Sequence, residues 1–156
     1  MSNPSVGDEK VVRSRGLYSI AAFIVIALGL ASRWDAVGLS WFVAKYSGDA
    51  LWGLIVFIGW AFLFPSFSTR VVAVLAVAFA CAVEFSQLFH PPWLDAIRAN
   101  KLCGLVLGTP SSTFAWGDIV AYLVGIGFGV VVEWACFRNH LNEITKRSAI
   151  LKEIQK

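Results

Sequence analysis

Four long apolar runs dominate this chain, and each approaches the roughly 20 residues that a helix needs to cross a hydrocarbon core about 30 Å thick. The first, GLYSIAAFIVIALGLAS at 16–32, lies between Arg15 and Arg33 and carries no charge. The second, ALWGLIVFIGWAFLF at 50–64, ends at Pro65, which lacks the N–H a helix needs, in the turn PSFST. The third follows Arg70 as VVAVLAVAFACAVEFSQLF and holds one charge, Glu84. The fourth extends from Asp118 to about Phe137. Only 15% of the residues are charged and the mean hydropathy is +0.70, where an average soluble domain carries about 25% charge. A soluble globular fold is therefore excluded. The expectation is an all-α membrane protein, a four-helix transmembrane bundle.

At 156 residues one domain is expected. It divides into a disordered polar tail at 1–15, the bundle at 16–137 and a basic amphipathic helix at 138–156. Arg13 and Arg15 before the first run and Ala31 at its end also fit a secretory signal, but the chain stays apolar afterwards, so the run reads as a retained helix. Four spans put both termini on one side. If that side is the cytoplasm, nine Lys and Arg flank the spans inside and only Arg33, Lys45, Arg98 and Lys101 lie outside. Cytoplasmic flanks collect such residues. The reading is a multi-pass protein of the bacterial inner (cytoplasmic) membrane with both termini cytoplasmic. In the C-terminal segment Leu141, Ile144, Leu151 and Ile154 fall near one helical stripe, so it is a solvated cytoplasmic helix, continues the fourth helix, lies on the bilayer or pairs with a partner.

A net charge of +3, with cations near the ends of apolar runs and no basic stripe, gives nucleic acid no claim as a partner. Cys81, Cys103 and Cys136 show no CxxC spacing, which excludes a disulfide framework or zinc site; no metal or cofactor is expected. The glycines at 125–129 are not a phosphate loop, because they lie inside a span. Gly125 and Gly129 there let a neighbouring backbone approach, as Ala76 and Ala80 do on the third helix. Trp34, Trp41, Trp52, Trp93 and Trp116 fall near the outer boundary, as an aromatic belt does.

The polar residues converge at that boundary. An ionisable group in hydrocarbon costs a few kcal/mol on insertion scales, which makes it a functional candidate by default. Glu84, 14 residues after Arg70, lies roughly 21 Å from the inner boundary at 1.5 Å per residue. Gln87 is one turn further out on the same face, and His90 extends that face, though a solvated histidine is the simpler reading for it. Arg33 ends the first span at this depth, Asp49 begins the second, Asp118 begins the fourth, and Tyr122 follows one turn later. The connection 89–117 is long enough to form an extracytoplasmic lid, with WLDAIRA as a short surface helix and LCGLVLG dipping back into the bundle. From this lid Arg98 is expected to pair with Glu84, Asp49 or Asp118. The plain alternative is a buried ion-pair network that only ties the helices together.

The ordered segments LGLASRW, GDALW, VEFSQLF, PPWLDAIR and LVLGTPSSTFAWGDIVAY resemble the small bacterial membrane proteins of the domain of unknown function DUF 2809, over roughly 16–135. They are similar, more distantly, to VanZ-like proteins, which share a helix bearing Glu-x-x-Gln, a following Arg and a later helix opening with Asp. That resemblance implies a cell-envelope role and points to Arg33, Asp49, Glu84, Gln87, Arg98 and Asp118. It departs from the VanZ-like pattern at Ala121 and Tyr122, where an Asn usually follows the Asp.

Three function classes follow. The leading one is an outward-facing polar pocket that binds an anionic amphiphile or an envelope protein through Arg33, Asp49, Gln87, Arg98 and Tyr122, in contact with membrane lipid. The second is a membrane-embedded enzyme on a lipid-linked envelope substrate, with Glu84 or Asp118 as general acid or base and the arginines as an anion clamp. The third is a proton-coupled carrier, which four short helices manage only as a homo-oligomer.

Overall fold

The computed structural model describes residues 13–32 and 40–154, with backbone alone at 41, 44, 137 and 139–154. Among the described residues the chain is all-helical. Its elements are α1 (Arg15–Ala31), α2 (Trp41–Leu63), α3 (Thr69–Ser86), α4 (Pro92–Arg98), α5 (Lys101–Leu107) and α6 (Trp116–Ile154). Three of them contain segments long and apolar enough to cross a membrane: Lys45–Leu63, Thr69–Ser86 and Trp116–Cys136. The apolar helix α1 has 17 residues. Outward faces stay apolar: Phe23, Val74, Leu88, Val124, Phe128 and Val131 are all more than half exposed. Soluble monomers rarely show continuous apolar surface on this scale. These are the helices of a membrane protein.

Local sequence explains most of the boundaries. Helix α2 stops before Pro65. Helix α3 starts at the N-cap Ser68, whose hydroxyl accepts from the Val71 N–H. Pro92 takes the first position of α4, where its missing N–H costs nothing. The Asn100 side chain caps α5 by accepting from the N–H groups of Leu102 and Cys103.

Two elements differ from expectation, and of the readings left open for the C-terminal segment the structure takes the one that continues the fourth helix. Helix α2 begins at Trp41, well before the apolar run at 50, and Lys45 and Asp49 stand one turn apart on the added stretch. Helix α6 does not end near Phe137. It continues without a break to Ile154, 39 residues in all, or about 58 Å at 1.5 Å per residue. Helix α5 does not dip into the bundle, and it buries none of its residues.

The interior is a cluster of Phe57, Ala61, Val72, Ala76, Ala80, Tyr122 and Ile126, so the two alanines on α3 do serve as a close-packing face. Its most extensive packing joins α2 to α6. These two run in the same direction, with Gly125 against Ala50, Gly53 against Tyr122 and Gly129 against Phe57. A Cβ on Gly125 would lie 1.8 Å from the Ala50 carbonyl oxygen, and one on Gly53 2.5 Å from that of Tyr122. No side chain fits at either place. An up-and-down bundle normally keeps parallel helices apart; here the paired glycines bring two of them into backbone contact. Helix α3 runs antiparallel to α6, and α1 runs antiparallel to α2, with Gly29 beside Leu51 at one end and Arg15 over the Phe62 ring at the other.

Candidate functional site

At the end of the molecule where α3 finishes and α2 and α6 begin, the buried carboxyl group of Glu84 gathers three neighbours. The Ala115 N–H donates to Oε1 at 2.7 Å, the Tyr122 hydroxyl to Oε2 at 3.2 Å, and the Gln87 amide to Oε2 at 3.5 Å. The residue is 0% exposed. Gln87 shares its face at the end of α3, Tyr122 belongs to α6, and the third donor is backbone of the loop that leads into α6. Glu84 therefore fastens that loop to the bundle, with neutral donors satisfying its oxygens.

Arg98 stands elsewhere than the sequence suggested. It is 1% exposed, yet its guanidinium turns to the end of α3, donating to the Ser86 carbonyl at 2.7 Å, the Ser86 hydroxyl at 3.0 Å and the Phe89 carbonyl at 2.9 Å. Its ion pair is with Asp95, 3.4 Å away on its own helix, and not with Glu84. The last carbonyls of a helix have no partner within it and form the negative end of its dipole, so a guanidinium is well placed there. Asp95 also lies 3.3 Å from Nδ1 of His90. The expected carboxylate clamp is thus replaced by a cap that fixes α4 to α3.

Above Glu84 opens a cavity of about 740 Å³. Its walls are Lys45, Asp49 and Trp52 from α2, Gln87 from the end of α3, and Asp118 and Tyr122 from α6. Residues 104–106 of α5 and Gly108, Thr109, Ser111, Ser112, Thr113 and Ala115 of the following loop line the rest of it. Lys45 joins Asp118 across the α2–α6 interface and lies 4.0 Å from Asp49. Trp52 packs on Tyr122 with ring centroids 4.6 Å apart and donates its indole N–H to the Leu105 carbonyl. It is a wall of the cavity and not part of a lipid-facing belt.

The loop supplies hydroxyls. Thr109 Oγ1 is 3.0 Å from Ser111 Oγ and 3.1 Å from Ser112 Oγ, and the Thr113 side chain also borders the cavity. Gly108 allows this turn: its φ is 80°, which disfavours side chains, and a Cβ would meet the Gln87 amide at 3.0 Å.

Of the residues expected to form a site, Glu84, Gln87 and Tyr122 meet directly, and Asp49 and Asp118 flank Lys45. Arg98 lies apart from them, and Arg33 is outside the described residues. Sequence reasoning counted Lys45 only as an outward cation, although its spacing from Asp49 was a readable signal. It also passed over the hydroxyls of GTPSST. Among the described residues no group of three His, Cys, Asp or Glu side chains is placed to hold a metal.

A second buried cluster lies at the opposite end and was also missed. Arg13 forms an ion pair with Glu133 of α6, and the Tyr18 hydroxyl donates to Glu133 Oε1 at 2.6 Å. Arg13 further donates to the Phe67 and Pro65 carbonyls of the turn between α2 and α3. Burial disfavours the Arg13 charge, but the hydrogen bonds and charge of Glu133 outweigh it and raise the guanidinium above its ordinary value. Glu133 was legible by the same rule as Glu84, an acid inside an apolar run. Between the two clusters the interior is the apolar core around Ala76 and Ile126.

Fold and site together define a small all-helical membrane protein with a polar cavity at one end of its helices. Residues 38–126 match the family described as Protein of unknown function (DUF2809), and the chain belongs to that family. The matched span contains every residue that lines the cavity and excludes α1 and the C-terminal extension of α6. No solved structure matches the chain.

Proposed function

We propose that this chain is a four-span protein of the bacterial cytoplasmic membrane, with α1 as the fourth span and both termini in the cytoplasm, whose cavity holds the polar headgroup of an amphiphile at the outer face. The observation that carries this reading is the cavity itself: hydroxyl, amide, carboxylate and ammonium groups line a space of about 740 Å³ at the end of helices whose outer surfaces are apolar. A span of 17 residues is at the short limit for a helix crossing a bilayer, and it suffices with local thinning. The cation count supports the orientation.

The headgroup chemistry follows from what remains to bind it. With Arg98 committed to α3 and Lys45 engaged by Asp118, the described residues offer no arginine clamp for an anion. The hydroxyls of Thr109, Ser111, Ser112 and Thr113, the Gln87 amide and the two aspartates each accept or donate to a hydroxyl. A hydroxyl-rich headgroup such as a sugar matches them better than a phosphate-bearing one. A carrier would need a polar route to the other end, and the apolar core argues for binding over transport.

Native mass spectrometry of the purified protein tests this, using a glucosyl diacylglycerol, phosphatidylglycerol and phosphatidylethanolamine with identical acyl chains. The glycolipid is expected to be retained about tenfold more tightly, a difference of about 1.4 kcal/mol, and the preference to fall in Ser111→Ala and Lys45→Ala. Equal retention of all three lipids overturns the reading.

A further inference from the structure

We infer that α4, α5 and the loop before α6 are seated in the outer leaflet of the bilayer, so that the cavity is filled sideways from the membrane and takes an amphiphile already in that leaflet. This rests on the proposed function for what the cavity holds, and adds where the occupant comes from. The supporting feature is a series of exposed large apolar side chains that extends from the spans onto the lid.

Helix α3 has 18 residues, or about 27 Å, so its end lies near the far limit of a hydrocarbon core of about 30 Å. The residues that follow are at the depth of the glycerol and headgroup layer. There Leu88 and Phe89 are exposed. Phe114 of the loop stacks on Phe85 of α3 at 5.5 Å and meets Trp116 edge-on at 5.1 Å, which extends the outward face of α3 onto the start of α6. On the lid helices Trp93 is 66% exposed, Leu102 76% and Trp116, beside them in depth, 71%. Tryptophans at this depth prefer the membrane interface. Water is a poor neighbour for so many large apolar groups at one end of a molecule.

Helix α5 shows why the arrangement bears on entry. Its residues 104–106 line the cavity, and the Leu105 carbonyl accepts from Trp52. Its Leu102 and Leu105 side chains are exposed. One seven-residue helix therefore separates the polar cavity from an apolar exterior, and it buries none of its own residues. A wall so lightly held is where a headgroup can pass while its acyl chains stay in lipid.

The test uses the full chain in vesicles of phosphatidylethanolamine and phosphatidylglycerol. With Cys81, Cys103 and Cys136 changed to alanine, Leu102→Cys carries a nitroxide label, and its collisions with oxygen are compared with those of a water-soluble nickel chelate. Oxygen collisions are expected to dominate several-fold, as at the span reference Val74→Cys. Dominant nickel collisions overturn the inference. A second measurement keeps the native cysteines: tryptophan quenching by brominated lipid in the wild type is compared with Trp93→Phe and Trp116→Phe. Each substitution is expected to remove a substantial part of that quenching, whereas loss of iodide quenching alone counts against the inference. Failure of glycolipid binding with Leu102 in lipid removes only the headgroup reading; binding with Leu102 in water removes only this one.

Discussion

Glu84 and Glu133 are both buried acids in membrane helices, yet their partners give them different tasks. Glu84 accepts from a backbone N–H, a phenol and an amide, so its shape and acceptor capacity matter more to the fold than a counter-charge. Glu84→Gln can accept from the Ala115 N–H and donate to Tyr122, and is expected to melt within about 1 kcal/mol of wild type. Glu84→Ala strands all three donors and is expected to cost on the order of 3 kcal/mol, with faster hydrogen exchange at 108–115. Thermal unfolding in detergent and hydrogen exchange check both. If Glu84→Gln is as damaging as Glu84→Ala, a hidden charge partner is required and the account of a neutral clamp fails. Glu133 differs because it faces Arg13, a true buried pair. Removing one partner leaves an uncompensated charge, so Arg13→Ala is expected to cost roughly 3–5 kcal/mol. The double change Arg13→Met with Glu133→Leu is expected to cost less than Arg13→Ala alone, a comparison that the same melting measurement makes.

Among elements, the parallel contact of α2 and α6 is the one on which the cavity depends, since it sets Lys45 beside Asp118. Gly125→Ala would press a methyl group into the Ala50 carbonyl and is expected to destabilise by about 1–3 kcal/mol or more, while weakening glycolipid retention. Gly127→Ala, two residues away on the same helix, meets nothing within 4 Å and is expected to be neutral or to add up to about 1 kcal/mol through helix propensity. Equal effects from the two substitutions would mean that helix propensity, and not backbone approach, governs this region. Arg98 plays the corresponding role for α4: it adds hydrogen bonds to the Ser86 and Phe89 carbonyls at the end of α3, and so holds the lid helices in place.

At the scale of the whole molecule, the chain carries one polar cluster at each end of an apolar core, and α6 runs far beyond what a bilayer can cover. A helix of 39 residues exceeds the hydrocarbon thickness by about 28 Å, and the excess begins near Glu133, where Arg13 ties the start of α1 to α6. A fluorescent protein fused after Lys156 is expected to be bright, and alkaline phosphatase at the same place inactive, because only the first folds in the cytoplasm. Active phosphatase there reverses the orientation and puts the cavity on the cytoplasmic side.

Helix type, the apolar runs and the gathering of Glu84, Gln87, Asp49, Asp118 and Tyr122 at one end of the helices were legible in the sequence, because hydrocarbon admits few charges and a helix converts residue number directly into distance along its axis. The close approach at Gly125 was legible for the same reason, though its partner was not. Partners are set by rotation and neighbour choice, which residue spacing within one helix does not encode. Arg98 shows this most clearly: the sequence placed it near Glu84, but the Ser86 and Phe89 carbonyls at the end of α3 lay nearer and took the guanidinium. Lys45 became central only once α2 and α6 touched. Arg13 met Glu133 only because α1 folded back to the far end of α6. Position along the helix axis belonged to the sequence, and pairing to the packed molecule.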